Sequence, residues 1–197
     1  MSFLDLIKYK LFPPKNIHEI AKVLTEKIAA DSFSLFNKQQ FRKLVNFDKL
    51  DQQEQDRIFN EILVAGLILL ILMFSRLEKM APHDIIRQFY AELQMEMHSR
   101  YSNWLKELGT SSEFTDLWKT LIKMRTEEYR RDYKEHRREL EKDWQKNPWV
   151  FVTALGGYKH IRRGQGKPGD PLFKIFLRWN IKIANETAVF IRKTLKA

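Results

Sequence analysis

The sequence contains no cysteine. Disulfide bonds, thiolate metal sites and cysteine nucleophiles are therefore excluded together. The first twelve residues also lack the basic start and the continuous apolar run that mark a secretory signal peptide. These two absences favour a protein that stays in the cytoplasm or lies peripherally on the cytosolic face of a membrane.

Acidic residues are scarce in one part of the chain only. Residues 1–98 hold 13 basic and 13 acidic residues, and residues 99–144 hold 11 and 10. Residues 145–197 hold 11 basic residues against 2 acidic ones, which accounts for nine of the ten net positive charges. Such a local excess attracts anions. We expect its partner to be an acidic protein face or an anionic membrane surface, with a nucleic acid as the less favoured alternative.

Motifs for metal binding and for the common kinds of catalysis are also missing. No two of the five histidines are spaced to reach one metal ion from one helix face. The pair Gly166-Lys167 is not a phosphate-binding loop, because Ile161 and Pro168 stand where that loop requires glycine and serine or threonine. The sequence therefore predicts binding without catalysis, metal or cofactor, and leaves an enzyme of unrecognised type as the alternative.

The most prominent feature present is the apolar run at residues 62–74. As a helix it is about 20 Å long, shorter than the roughly 20 apolar residues that cross a bilayer. Asp51 and Glu54 form a capping pair before it, and Pro82 follows it. We predict an all-α domain around a buried central helix over residues 52–80. The side chains expected to be deeply buried are Leu67, Leu69, Leu70, Phe89, Leu93, Trp104 and Trp118.

Apolar residues at helical spacing predict the helices that cover this centre. They are expected over residues 17–30, 33–47, 83–108 and 111–146. The last of them is expected to bury its first apolar residues, which are Phe114, Leu117, Trp118, Leu121 and Ile122. Phe3, Leu6, Ile7 and Leu11 form a short amphipathic segment that docks on the core or, alternatively, lies on a membrane.

The second half of the helix over 111–146 is charged nearly all round, and its apolar face narrows to a thread. The thread consists of Tyr129, Tyr133, His136, Leu140 and Trp144. A narrow apolar seam on a charged helix either docks a partner helix or packs inside the same molecule. Packing against the C-terminal helix is the favoured interpretation.

Residues 147–197 are interpreted as an appendage that packs on, or projects from, a core domain formed by residues 1–146. Five of the seven glycines lie within 156–169, which predicts a flexible basic loop. A helix over 172–195 should follow, with a hairpin of 150–154 against 174–183 as the alternative. The candidate anion-binding residues are Lys159, Arg162, Arg163, Lys167, Lys174, Arg178 and Lys182.

A resemblance to a known family comes from the middle of the chain. Trp104-Leu105-Lys106-Glu107-Leu108-Gly109 is followed by Leu121-Ile122-Lys123-Met124 and then by Tyr129 and Tyr133. With the apolar helix that ends near Arg76, this order resembles the ubiquinol-cytochrome c chaperone domain over about residues 55–135. Arg130 stands where that family often has glycine, and the basic last quarter has no counterpart there. The resemblance implies a non-enzymatic assembly factor that binds an immature membrane protein at the membrane surface.

Overall fold

The computed structural model describes residues 17–143, 147–167 and 169–195. Over these residues the chain is a single all-α domain without strands, as predicted. The helices are α1 (Ile17–Phe36), α2 (Gln39–Leu44), α3 (Gln52–Met80), α4 (Asp84–Glu107), α5 (Ser112–Glu135), α6 (Arg137–Asp143), α7 (Pro148–Ile161) and α8 (Pro171–Thr194), with a 3-10 turn at Phe47–Lys49. The predicted amphipathic segment within residues 1–12 lies outside the described residues.

Helix α3 is the centre of the fold, as predicted. It begins after Asp51, whose carboxylate accepts a hydrogen bond from the Glu54 N–H at 2.8 Å. By length and composition it could cross a membrane, but 83% of its most apolar window is buried inside the protein. Five helices contact it, in the order α1, α4, α5, α7 and α8, and α8 contacts α1 to close the ring. The apolar run of α3 over residues 62–74 is therefore covered by protein on every side.

The break predicted between the helices over 17–30 and 33–47 is absent, because α1 continues through Asp31 and Ser32 to Phe36. Ser32 is buried, and the Asp31 carboxylate forms ion pairs with Lys27 and Lys182 at 2.8 Å instead of capping a new helix. The Asp31 side chain is therefore engaged in ion pairs, and its backbone continues the helix. The helix predicted over 33–47 is accordingly reduced to the six residues of α2 and the 3-10 turn.

The flexible loop predicted over 156–169 is wrong in its first part. Gly156 and Gly157 lie buried inside α7, and the loop begins only after Ile161. A Cβ atom on Gly156 would lie 2.1 Å from the ring of Tyr129, and one on Gly157 would lie 2.5 Å from the ring of Phe176. The two glycines therefore allow α5 and α8 to pack closely on α7. This packing explains why glycine occupies two positions inside a helix.

The last quarter packs on the core, which is one of the two placements predicted for it. Helix α8 confirms the predicted C-terminal helix and excludes the hairpin. Its Asp170 N-cap accepts a hydrogen bond from the Leu172 N–H at 2.8 Å, and Pro171 occupies the first turn as expected. Both α7 and α8 pack directly on α3.

Helix α5 differs from the prediction in two ways. It ends at Glu135, and a separate short helix follows after His136, so the helix over 111–146 is not continuous. Its N-terminal half buries Trp118 and Ile122 but leaves Phe114 and Leu117 exposed. The predicted core is otherwise confirmed, except that Trp104 is only partly buried.

Candidate anion-binding face

The outer side of α8 carries five cations, three in its first half and two at its C-terminal end. We call this surface the basic face; its exposed members are Lys174, Arg178, Lys182, Arg192 and Lys193. Their spacing places them on one side of a 3.6-residue helix over about 28 Å. The opposite side is buried and consists of Leu172, Phe176, Trp179, Asn180, Ile183, Ala184, Thr187 and Ile191. Packing on one side therefore fixes the cations on the other.

Aromatic contacts and one hydrogen bond set the orientation of α8. The rings of Phe176 and Trp179 stack at 5.4 Å between centroids, inside the core. The Trp179 indole N–H donates to the backbone carbonyl of Asp31 on α1 at 3.2 Å. Because a buried indole N–H needs such a partner, rotation of α8 about its axis is strongly disfavoured.

The two acidic residues of the last quarter are used inside the protein. Asp170 accepts hydrogen bonds from Arg162 and Tyr158, each at 3.0 Å. Glu186 forms ion pairs with Lys27 at 2.6 Å and Lys182 at 3.8 Å. The carboxylates nearest the basic face therefore have cationic partners within the protein already.

Lys182 is the one member of the basic face with ion pairs among the described residues, to Asp31 at 2.8 Å and to Glu186. Burial alone would raise the pKa of Asp31, but its contacts with Lys182 and Lys27 lower it overall. Lys182 therefore ties α8 to α1. The other four cations of the face have no carboxylate partner in the described part of the chain.

Arg162 has a structural role that the sequence prediction missed. Its guanidinium donates to Asp170 at 3.0 Å and to the backbone carbonyl of Leu44 at 3.1 Å, where α2 ends. It thereby joins the C-terminus of α2 to the N-cap of α8. Burial raises the pKa of Asp170, but hydrogen bonds from Arg162, the Leu172 N–H and Tyr158 lower it overall.

Arg163 is exposed, but it pairs with Glu54 of the same molecule. The Glu54 carboxylate accepts hydrogen bonds from both Arg57 and Arg163, and these two contacts lower its pKa to about 2. Arg57 in turn donates to the carbonyls of His160 and Ile161 at 2.8 and 3.0 Å, the last carbonyls of α7. The cluster joins the start of α3 to the end of α7.

The seven predicted anion-binding residues are therefore not one surface. Lys174, Arg178 and Lys182 lie together on α8, and Lys167 is exposed in the loop before it. Lys159 lies on α7 beside α6, at the edge of a groove of about 330 Å³ that Asp132, Glu139 and Asp143 also line. Arg192 and Lys193 were not predicted as members. The i,i+4 spacing of Lys174, Arg178 and Lys182 does not reach them, but Arg192 lies five full helical turns after Lys174.

The apolar thread on α5 and α6 packs inside the molecule, against α7 and not against the C-terminal helix. Tyr129 is fully buried, and its ring covers Gly156. The Tyr133 ring lies 4.3 Å from that of Trp149, and Leu140 is buried as well. The prediction that this thread docks a partner helix is therefore wrong for Tyr129 and Leu140. His136 is exposed, and Trp144 lies outside the described residues.

Comparisons of the chain with models of protein families, with curated proteins and with solved structures find no match.

Proposed function

We propose that this protein is a non-catalytic binding protein that docks on an anionic membrane surface through the basic face of α8. The observation that carries the proposal is the composition of that face. Four exposed cations, Lys174, Arg178, Arg192 and Lys193, are held on one rigid side of a helix, and both neighbouring acids have cationic partners inside the protein. Such a one-sided field attracts an extended anionic surface.

The expected strength is that of reversible recruitment. Each lysine or arginine near an anionic membrane contributes about 1 kcal/mol. The four cations together contribute about 4 kcal/mol, and Lys167 in the preceding loop adds to this when it reaches the surface. A contribution of this size supports reversible attachment but falls short of permanent anchoring. Because it is electrostatic, it weakens as the salt concentration rises.

Single-stranded RNA is the main alternative ligand for a basic surface. Proteins that bind single strands combine cations with exposed aromatic rings on which the bases stack. Here Phe176 and Trp179, the aromatic residues at the centre of α8, are buried on the opposite side of the helix. The basic face thus offers charge without a stacking platform, which favours a membrane over RNA.

An enzyme is the alternative of a different class, and the cavities give it little support. One groove lies between α6 and α7, and a cavity of about 380 Å³ lies at the start of α3. The second contains Glu54, whose pKa of about 2 keeps it ionised between two arginines and unsuited to proton transfer near neutral pH. Among the described residues, no three His, Asp or Glu side chains are grouped to hold a metal ion.

The resemblance to the ubiquinol-cytochrome c chaperone domain extends the proposal to a role in assembly. The residues of this chain that carry the resemblance, about 55–135, form α3, α4 and α5. A protein that assists an immature membrane protein must reach the membrane surface, and the basic face supplies that contact. We therefore propose an assembly factor whose client is a membrane protein. Affinity purification from a native extract should recover such a client with the full-length chain.

Vesicle sedimentation tests the docking proposal directly. The substitutions Lys174→Glu, Arg178→Glu and Arg192→Glu, made together, should reduce binding to vesicles rich in anionic lipid at least tenfold at low salt. Neutral vesicles should bind neither protein. Thermal stability should change little, because the three side chains are exposed and have no ion pair among the described residues.

A matched control separates the position of the charges from their number. Arg130, Lys134 and Arg138 are exposed cations on α5 and α6, four residues apart, and their reversal changes the net charge by the same amount. This control should bind vesicles much as the unchanged protein does. Equal losses in both triple variants would contradict docking through α8. Salt-sensitive binding to single-stranded RNA without binding to vesicles would replace the membrane with RNA.

A further inference from the structure

An apolar stripe runs along one side of α5, and three of its four residues are exposed. It consists of Phe114, Leu117, Leu121 and Met124, and we call it the apolar ridge. Phe114 is 44% exposed, Leu117 63% and Met124 56%, while Leu121 is partly buried. Single exposed apolar residues are ordinary, but four at helical spacing form a contiguous patch of the kind that marks an interaction site.

The ridge is additional to the face that α5 uses for folding. The buried side of the same helix consists of Thr115, Trp118, Ile122, Thr126 and Tyr129. Leu121 also packs partly against the core, whereas Phe114, Leu117 and Met124 are exposed. Helix α5 thus has two apolar stripes, and the outer one requires a different explanation from the core.

The spacing of the ridge is that of a coiled-coil seam. Its four residues follow one another at intervals of three, four and three positions, which places them at alternate a and d sites of a heptad. Such a seam packs against a second helix with an axis-to-axis distance of about 8–10 Å. The ridge spans about 15 Å, so it fits a short helix-to-helix contact.

We propose that the apolar ridge binds the same ridge of a second copy of this chain, with the two α5 helices antiparallel. A two-fold axis between Leu117 and Leu121 places Leu117 opposite the partner's Leu121 and Phe114 opposite the partner's Met124. Leu121 then also contacts the partner's Leu117, and Met124 contacts the partner's Phe114. A two-fold interface requires such reciprocal contacts. The bulky Phe114 faces a flexible methionine, which adapts its shape easily.

The local charge supports a second copy of this chain as the occupant. The exposed charges within residues 113–124 are Glu113, Asp116, Lys119 and Lys123, which sum to zero in a chain of net charge +10. Two copies can therefore approach here without the repulsion that the basic face would cause.

Sedimentation velocity over about 1–200 µM tests the proposal with the full-length protein. The unchanged chain should dimerise as its concentration rises, and Leu117→Asp should raise the dissociation constant at least tenfold. Met95→Asp is the matched control, because Met95 on α4 is 62% exposed and lies outside the ridge. This variant should dimerise normally. Circular dichroism and urea unfolding of both variants verify that they are folded.

The absence of cysteine provides a test of the antiparallel arrangement. Neither Phe114→Cys nor Met124→Cys should form disulfide-linked dimers alone, but an equimolar mixture of the two should do so under mild oxidation. Cross-linking of Phe114→Cys with itself would indicate parallel helices and overturn the arrangement. A monomer at 200 µM, or a dimer unaffected by Leu117→Asp, would overturn the proposal and assign the ridge to another occupant, such as residues 1–16 or a different protein.

Discussion

Helices α5 and α8 have the same construction on the inside and opposite surfaces on the outside. Each is 24 residues long, packs on α3 and borders α7. Each places one aromatic ring against a glycine of α7: Tyr129 of α5 covers Gly156, and Phe176 of α8 covers Gly157. Their outer sides differ, since α5 exposes the apolar ridge and α8 exposes the basic face.

The difference indicates that the outer sides are not determined by packing. Both helices satisfy the core with one side, so the residues of the other side are free to meet different partners. Only α7 separates α5 from α8 on one side of the ring, while α4 and α1 separate them on the other. The apolar ridge and the basic face therefore point in different directions, and one molecule can use both at once.

The largest loss of stability is expected when the close packing of α5 and α8 on the glycines of α7 is disturbed. Gly156→Ala and Gly157→Ala should each lower the free energy of unfolding by about 1–3 kcal/mol, although alanine normally favours a helix. The added Cβ would lie 2.1 Å from a Tyr129 carbon in the first variant and 2.5 Å from a Phe176 carbon in the second. Urea unfolding measures both, and the loss should be greater for Gly156→Ala.

A double-mutant cycle with Tyr129→Leu is the control for this prediction. If the Gly156→Ala variant loses stability because its methyl group collides with the tyrosine ring, the loss should shrink when the ring is absent. A rise in stability of either single alanine variant would show that the helices move apart at little cost. The close packing of α5 and α8 on α7 would then not depend on glycine.

The sequence predicted the shared, inner part of this comparison better than the outer part. The apolar run of α3 and the periodic residues of α4 fix the core, because burial requires a regular pattern. Gly156 and Gly157 were wrongly predicted to lie in a loop. The close packing that requires them involves residues far apart in the chain, so it leaves no local pattern. A composition rich in glycine and cations resembles a loop unless Tyr129 and Phe176 are known to cover it.

The outer surfaces were harder to predict for two further reasons. The two apolar stripes of α5 cannot be ranked by periodicity, so Phe114 and Leu117 were expected in the core beside Trp118. Cations were located correctly by composition, but their partners were not. Arg162 and Arg163 bind a helix end and Glu54, and only the tertiary structure distinguishes them from the exposed Lys174 and Arg178.

A smaller effect on stability is expected from the ion pairs that Glu54 forms with Arg57 and Arg163. Arg57 and Arg163 lower the pKa of Glu54 from 4.5 to about 2. A lowered pKa in the folded state stabilises the protein above pH 4.5, and this stabilisation is lost as the pH falls from 4.5 to about 2. Since Arg163 is largely exposed, we expect a contribution of at most about 1 kcal/mol.

Urea unfolding between pH 2 and pH 7 tests this sign. Glu54→Gln should be slightly less stable than the unchanged protein above pH 5, and the difference should shrink towards pH 2. Glu127→Gln serves as the control, because Glu127 is exposed and has no ion pair within the described residues. A constant difference across this range would assign the role of Glu54 to hydrogen bonding that does not depend on its charge.

The smallest expected effects are those of each outer surface on the function of the other. Leu117→Asp should leave vesicle binding within about twofold of the unchanged protein when both are measured as monomers at low concentration. The triple substitution of Lys174, Arg178 and Arg192 by glutamate should likewise leave dimerisation at 150 mM salt nearly unchanged, because surface charges far apart are screened at that ionic strength.

At concentrations where the unchanged chain dimerises, its vesicle binding should strengthen, since two basic faces attached to one particle bind with a higher effective concentration. That gain should disappear in Leu117→Asp. If the ridge substitution instead abolishes vesicle binding of the monomer, the ridge itself meets the lipid, and the separation of the two surfaces is wrong.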